Sequence, residues 1–195
     1  MCYICIPMIS SDKMRERLRY FSSNDDIKRC IGCSDEHILK YSELSTYHSL
    51  EQLLPNTVDY KIILVETNRN TGHWVCVLRR GNIIECFNSY GIPIDSEFKY
   101  IPDWVERWLG EDTRYLTNLV KSSKGFTVIS NKVPFQENMA GINTCGRWNI
   151  LRIELHRLGY SLDEFTKIVK NASEKQILEP DELVCLWIKF TSDRT

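Results

Sequence analysis

Residues 141–153 read GINTCGRWNILRI and place Cys145, followed by Gly146, where turn residues give way to a helical pattern. Trp148, Leu151, Leu155 and Leu158 recur at three and four residues, which predicts a helix buried on one side, with Gly159 as its C-terminal cap. Cys145 then sits in the first turn. Free backbone N–H groups and the positive end of the helix dipole favour a thiolate there, lowering a pKa that is about 8.5 in a free cysteine. Gly146 is expected to let a substrate backbone approach. A cysteine at a helix start is inert packing more often than it is catalytic, so its surroundings decide.

Upstream of this helix the period changes from helical to alternating. Lys61 to Val65 (KIILV) is too short and too β-branched for a helix, and HWVCVLRR follows the turn-like NRNTG. Gly81-Asn82 then leads into IIECFNSYG, so Trp74 to Arg79 and Ile83 to Asn88 read as a β-hairpin. Phe126 to Ser130 is a further strand candidate. Helices are expected at Asp103 to Leu109 and Thr113 to Val120, at Leu50, Leu53 and Leu54, and on a face of Met14, Leu18 and Phe21.

With 195 residues, 43% of them hydrophobic and 26% charged, residues 1–195 are expected to form one globular α+β domain. A net charge of -1 with scattered basic residues demands no nucleic-acid partner. The most apolar stretches, Met1 to Ile9 and Leu183 to Phe190, are about half the length of a membrane-spanning helix. The N-terminus lacks a signal-peptide pattern, which predicts an intracellular protein with its eight cysteines reduced.

Cys2 with Cys5 and Cys30 with Cys33 form two C-x-x-C pairs, the internal spacing of a four-thiolate zinc site. The competing reading puts Cys2 and Cys5 in an apolar segment with Tyr3, Ile4 and Ile6, and Cys33 at a polar turn. The gap between the pairs is longer than the usual pattern, so no metal or other cofactor is expected. Cys76, Cys86 and Cys185 lie in apolar runs and read as buried small hydrophobes.

A nucleophilic thiol needs a base, a group to orient that base, and donors for the oxyanion. Of the four histidines, His37, His48 and His156 read as solvated surface residues. His73 begins a strand in TGHWV, where its ring would project from the sheet rim. The hairpin returns Asn88 to the same edge, where its carboxamide oxygen can accept from the imidazole. Gln136, nine positions before Cys145, can donate its amide to an oxyanion beside the Cys145 N–H.

The order His73, Asn88, Gln136, Cys145, with HW on a strand and CG opening a helix, resembles the adenain family of viral maturation proteases. It also resembles the related SUMO and ubiquitin-like-protein proteases. The match spans roughly residues 61–158. GHWV, FNSYG and NTCG look most like the small proteases of adenovirus-like, virophage and Maverick-type double-stranded DNA elements. The resemblance implies a papain-like α+β fold, with Cys145 as nucleophile, His73 as general base, Asn88 as orienting residue and Gln136 in the oxyanion hole. The family often has Asp or Glu where this chain has Asn88, and a neutral amide cannot stabilise an imidazolium by charge.

The same resemblance implies a thiol protease that cuts viral capsid precursors next to glycine during particle maturation, acting as a monomer in the virion and the infected cell. An activating peptide or DNA is implied as well, although the near-neutral charge gives DNA no support. The alternative is an isopeptidase that removes ubiquitin or SUMO after Gly-Gly. A third reading is a non-enzymatic zinc-binding interaction module.

Overall fold

The computed structural model describes residues 9–194, so Cys2 and Cys5 of the postulated zinc pairs lie outside the described residues. Five strands form one mixed sheet in the order β1-β2-β3-β4-β5: Ile38–Lys40, Tyr60–Asn68, Thr71–Arg80, Ile83–Asn88 and Thr127–Ser130. The three central strands are antiparallel, and each edge strand runs parallel to its neighbour. The fold is α+β.

The sheet is covered on both faces, which explains why its strands read as nearly continuous apolar runs. Ile62 and Leu64 of β2 and Trp74, Cys76 and Leu78 of β3 belong to one core, while Ile63, Val65, Val75 and Val77 belong to the other. The first core is closed by α2 (Asn24–Ile31), α6 (Cys145–Arg157), α7 (Leu162–Gln176) and α8 (Pro180–Trp187). The second is closed by α3 (Leu50–Leu53), α4 (Asp103–Leu109), α5 (Tyr115–Ser122) and the 3-10 segments around Tyr41 and Phe98. Helix α1 (Ser11–Arg19) packs against α8. None of the helices among the described residues is long and apolar enough to cross a membrane.

The hairpin forms at the expected residues, and α6 starts at Cys145. Three expectations need correction. Phe21 lies beyond α1 and is exposed, so it does not share the helix face with Met14. Helix α6 is not half-solvated: residues from Cys145 through Ile153 are all buried, whereas Leu158 of the predicted stripe is exposed at 72%. His156 is buried, with Nε2 at 3.1 Å from the Arg79 carbonyl oxygen. Buried α6 can carry Arg147 and Arg152 because each has a carboxylate partner. Arg152 makes two 2.6 Å bonds to Glu85 on β4, and Arg147 bonds Asp193 at 2.8 and 3.1 Å. Cys76, Cys86 and Cys185 are buried, as read.

Candidate active site

Cys145 opens α6 and is 7% exposed. Backbone N–H groups of Trp74, Gly146 and Cys145 itself favour its thiolate, as expected at a helix start. Burial outweighs them and pushes the thiol up to about 11, so the expected lowering does not occur. Gly146 is required by the protein's own packing. A Cβ there would lie 2.4 Å from both Cβ and Oγ of Ser22.

His73 lies near the start of β3 and is nearly buried, which holds its imidazole down to about 4; the bond to Asn88 works in the other direction. Its Nε2 is 2.9 Å from Asn88 Oδ1. The same Oδ1 accepts the Tyr90 N–H at 3.0 Å, which fixes that end of the amide as the oxygen. His73 therefore carries its proton on Nε2 and presents a basic lone pair at Nδ1. Tyr90 stacks on the imidazole with ring centroids 4.4 Å apart and planes 16° from parallel.

The Asn88 backbone is held by Asn131, where β5 has just ended. Asn131 Oδ1 accepts the Asn88 N–H at 2.9 Å, and Nδ2 donates to the Asn88 carbonyl at 2.6 Å. The side chain thus continues the ladder that the strand abandons. Asn149, one turn along α6, joins the two elements nearest the thiol. Its Nδ2 donates to Trp74 O at 2.8 Å and Cys145 O at 2.7 Å.

Gln136 is buried, and its Oε1 accepts from Ser89 Oγ at 2.8 Å. That contact turns Nε2 toward the loop before Cys145, where it donates to Ile142 O at 3.1 Å and Tyr90 Oη at 3.3 Å. A groove of about 850 Å³ reaches Cys145 and is lined by Phe21, Ser22, Lys40, Gly72 and Trp74, among others.

His73 and Asn88 are thus bonded directly. Gln136 is joined to them through Ser89 and Tyr90, and Cys145 is joined to β3 through the Trp74 N–H and Asn149. Sequence reasoning did not single out Ser89, Tyr90, Asn131, Asn149 or Asp181. Ser89 and Tyr90 lie inside the quoted FNSYG, and Asn149 is one helical turn after Cys145, so local spacing carried a signal for those three. Cys30 and Cys33 are half-buried free thiols, and among the described residues no group of three or more His, Cys, Asp or Glu side chains is arranged to hold a metal.

No known protein-family profile matches the chain. It is 33% identical over 176 residues to "Uncharacterized protein V9" of Sputnik virophage, an alignment covering 88% of this chain and 98% of that protein. The relative's name assigns no activity. On this identity and coverage the chain belongs to the viral protein family represented by V9 of Sputnik virophage.

Proposed function

We propose that this protein is a papain-like, adenain-type cysteine endopeptidase that processes viral capsid precursors at glycine-containing sites. The observation that carries the reading is the His73–Asn88 bond, which leaves Nδ1 as the imidazole's proton acceptor on the strand whose next residue, Trp74, aims its N–H at the Cys145 sulfur. The virophage relative supports the viral setting, in the virion and the infected cell.

The chemistry follows from a pair that rests neutral, since burial raises the thiol and depresses the imidazole. The sulfur attacks the scissile carbonyl as its proton passes to His73 Nδ1. The carbonyl oxygen gains charge and accepts from the Cys145 N–H and Gln136 Nε2, the latter exchanging its long 3.3 Å contact to Tyr90 for the oxyanion. His73 returns the proton to the leaving amine, and water then cleaves the thioester with His73 again as base. Asn88 holds the ring throughout but supplies no charge.

The test uses Gly-X and Gly-Gly peptides and a co-encoded capsid precursor, with products read by mass spectrometry. Cleavage by the wild type and none by Cys145→Ala, at unchanged Tm, is expected. Full cleavage by Cys145→Ala ends the protease reading. Faster release of ubiquitin or SUMO from a C-terminal conjugate than cleavage of the capsid precursor would favour the isopeptidase instead. Parallel reactions with DNA or capsid-derived peptides read out an activator.

A further inference from the structure

We infer that Asp181 is a positioning residue that ties the loop carrying Gln136 to the first turn of the Cys145 helix, setting the two oxyanion donors against each other. The inference rests on the protease reading. Asp181 stands in the first turn of α8 and is 5% exposed. One carboxylate oxygen accepts the Glu137 N–H at 2.8 Å, immediately after Gln136. The other accepts from Thr144 Oγ1, the residue before Cys145, and from Trp148 Nε1 at 3.0 Å.

The opposite end of the same loop is pinned independently. The N–H groups of Phe135 and Gln136 donate to Ser89 O at 2.8 and 3.0 Å, beside Asn88. Gln136 is therefore suspended between two anchors, one joined to the base's hairpin and one to the nucleophile's helix. Side-chain amides act as oxyanion donors only when their placement matches the position of the developing charge, and a shift of about 1 Å is enough to lose much of the benefit. A carboxylate accepting three donors, two of them buried, can hold such a placement, since each neutral donor is strengthened by the charge.

That charge works against the thiolate. Burial is the main reason that the Cys145, Tyr90 and Cys185 groups are raised, and the Asp181 charge adds to it at each. Glu137 is the acidic neighbour that Asp181 itself feels, and Arg147, Asp193 and Arg17 are the other charged groups around Cys185 on the far side. The two effects of the carboxylate have opposite consequences, so a substitution separates them.

The experiment compares the wild type with Asp181→Asn and Asp181→Glu, after a Tm check. For Asp181→Asn, kcat on a Gly-X peptide should fall about tenfold or more with KM changed less than about twofold, the signature of a contact made in the transition state. Exchange of the Glu137 amide hydrogen should accelerate about tenfold, while the pH midpoint of Cys145 alkylation by iodoacetamide should move down. Asp181→Glu should lose kcat and keep the alkylation midpoint, because the charge stays and the geometry does not. Unchanged Glu137 exchange, or equal loss in kcat and in folded fraction, overturns the inference. Exchange and alkylation require no substrate, so their response in a chain that cuts nothing would sink the protease reading and leave the tie standing. If Asp181→Asn does not fold, Thr144→Val cuts the bond at the start of α6 and keeps those from Trp148 and Glu137. It should lower kcat about threefold and speed exchange at the start of α6, and no change in either overturns the inference.

Discussion

His73 and Asn88 are 15 residues apart in the chain and 2.9 Å apart at Nε2 and Oδ1, because β3 and β4 form a hairpin whose register sets Val75 opposite Asn88. The consequence reaches beyond orientation. Burial depresses the imidazole, and an acceptor with no charge fixes the tautomer but favours the imidazolium too weakly to offset it, which leaves His73 neutral down to about pH 4. The resting thiol and imidazole are both uncharged, and on the protease reading an ion pair would form only during turnover.

The first prediction is a pH profile. The reaction needs an unprotonated His73 and a protonated thiol that can deliver its proton, so kcat/KM should rise as pH passes about 4 and stay level until the thiol ionises near 11. Initial rates in overlapping buffers measure this. An acid limb near 6.5, the value of a solvated imidazole, would show that water reaches the ring and that the neutral-pair description is wrong.

Asn88 separates orientation from charge. Asn88→Ala removes the acceptor of both the His73 and Tyr90 donors and should reduce kcat by at least about tenfold. Asn88→Asp keeps an acceptor of equal length and should retain substantial activity. Its negative charge favours the protonated ring, so the acid limb should move to higher pH. A limb that does not move would place the third role on another residue.

Asn131 should act only through Asn88. Asn131→Ala leaves the Asn88 N–H without the buried acceptor it now has and its C=O with the Gly91 N–H in place of two donors, and should lower kcat severalfold. The sharper readout is a double-mutant cycle. If Asn131 works by holding Asn88, Asn131→Ala combined with Asn88→Ala should be scarcely slower than Asn88→Ala alone. Fully additive losses would assign Asn131 to general stability.

Away from the site, Glu111 should tie stability to pH. Its fully buried carboxyl receives the Glu66 N–H at 3.1 and 3.2 Å, yet burial pushes its pKa up to about 8, helped by the nearby carboxylates of Glu66 and Glu106. The folded state therefore binds a proton that the unfolded chain, with a carboxyl pKa near about 4.3, has already released. Stability must fall as pH rises between those values. Glu111→Gln should raise Tm by about 3 °C or more at pH 8 and change it little at pH 4. Glu97, pushed by burial to about 7, remains in the variant and leaves part of the slope in place. Equal Tm values at pH 8 would refute the assignment.

The sequence revealed most where a residue's environment is set by near neighbours. The hairpin was legible because Gly81-Asn82 lies between two runs of strand residues, and with it the meeting of His73 and Asn88. The start of α6 was legible from the break in pattern at Cys145. Partners from far along the chain left no such trace. Asn131 reaches Asn88 from 43 residues away, and Asp181 reaches Thr144 from 37. The same reason explains the errors at α6. Arg147, Asn149 and Arg152 look solvent-facing by type, but they bond to Asp193, Trp74 and Glu85 in the interior. Desolvation of the thiol is likewise a property of the packed molecule, whereas the helix start that opposes it is local.

The Arg147 contacts set an order of assembly. Two residues after Cys145, this guanidinium is fully buried and donates to Ile188 O and to the Asp193 carboxylate, so the first turn of α6 is latched by residues near 190. A ribosome emits the chain from its N-terminus, and the sheet, the groove and the helix all emerge before the latch does. Until residues 188–193 have left the exit tunnel, Arg147 lacks its carboxylate, its carbonyl acceptor and the Phe190 ring that covers it, so the first turn of α6 lacks the contacts that hold it in place. Completion of the Cys145 end of α6 is therefore expected to await residues 188–193.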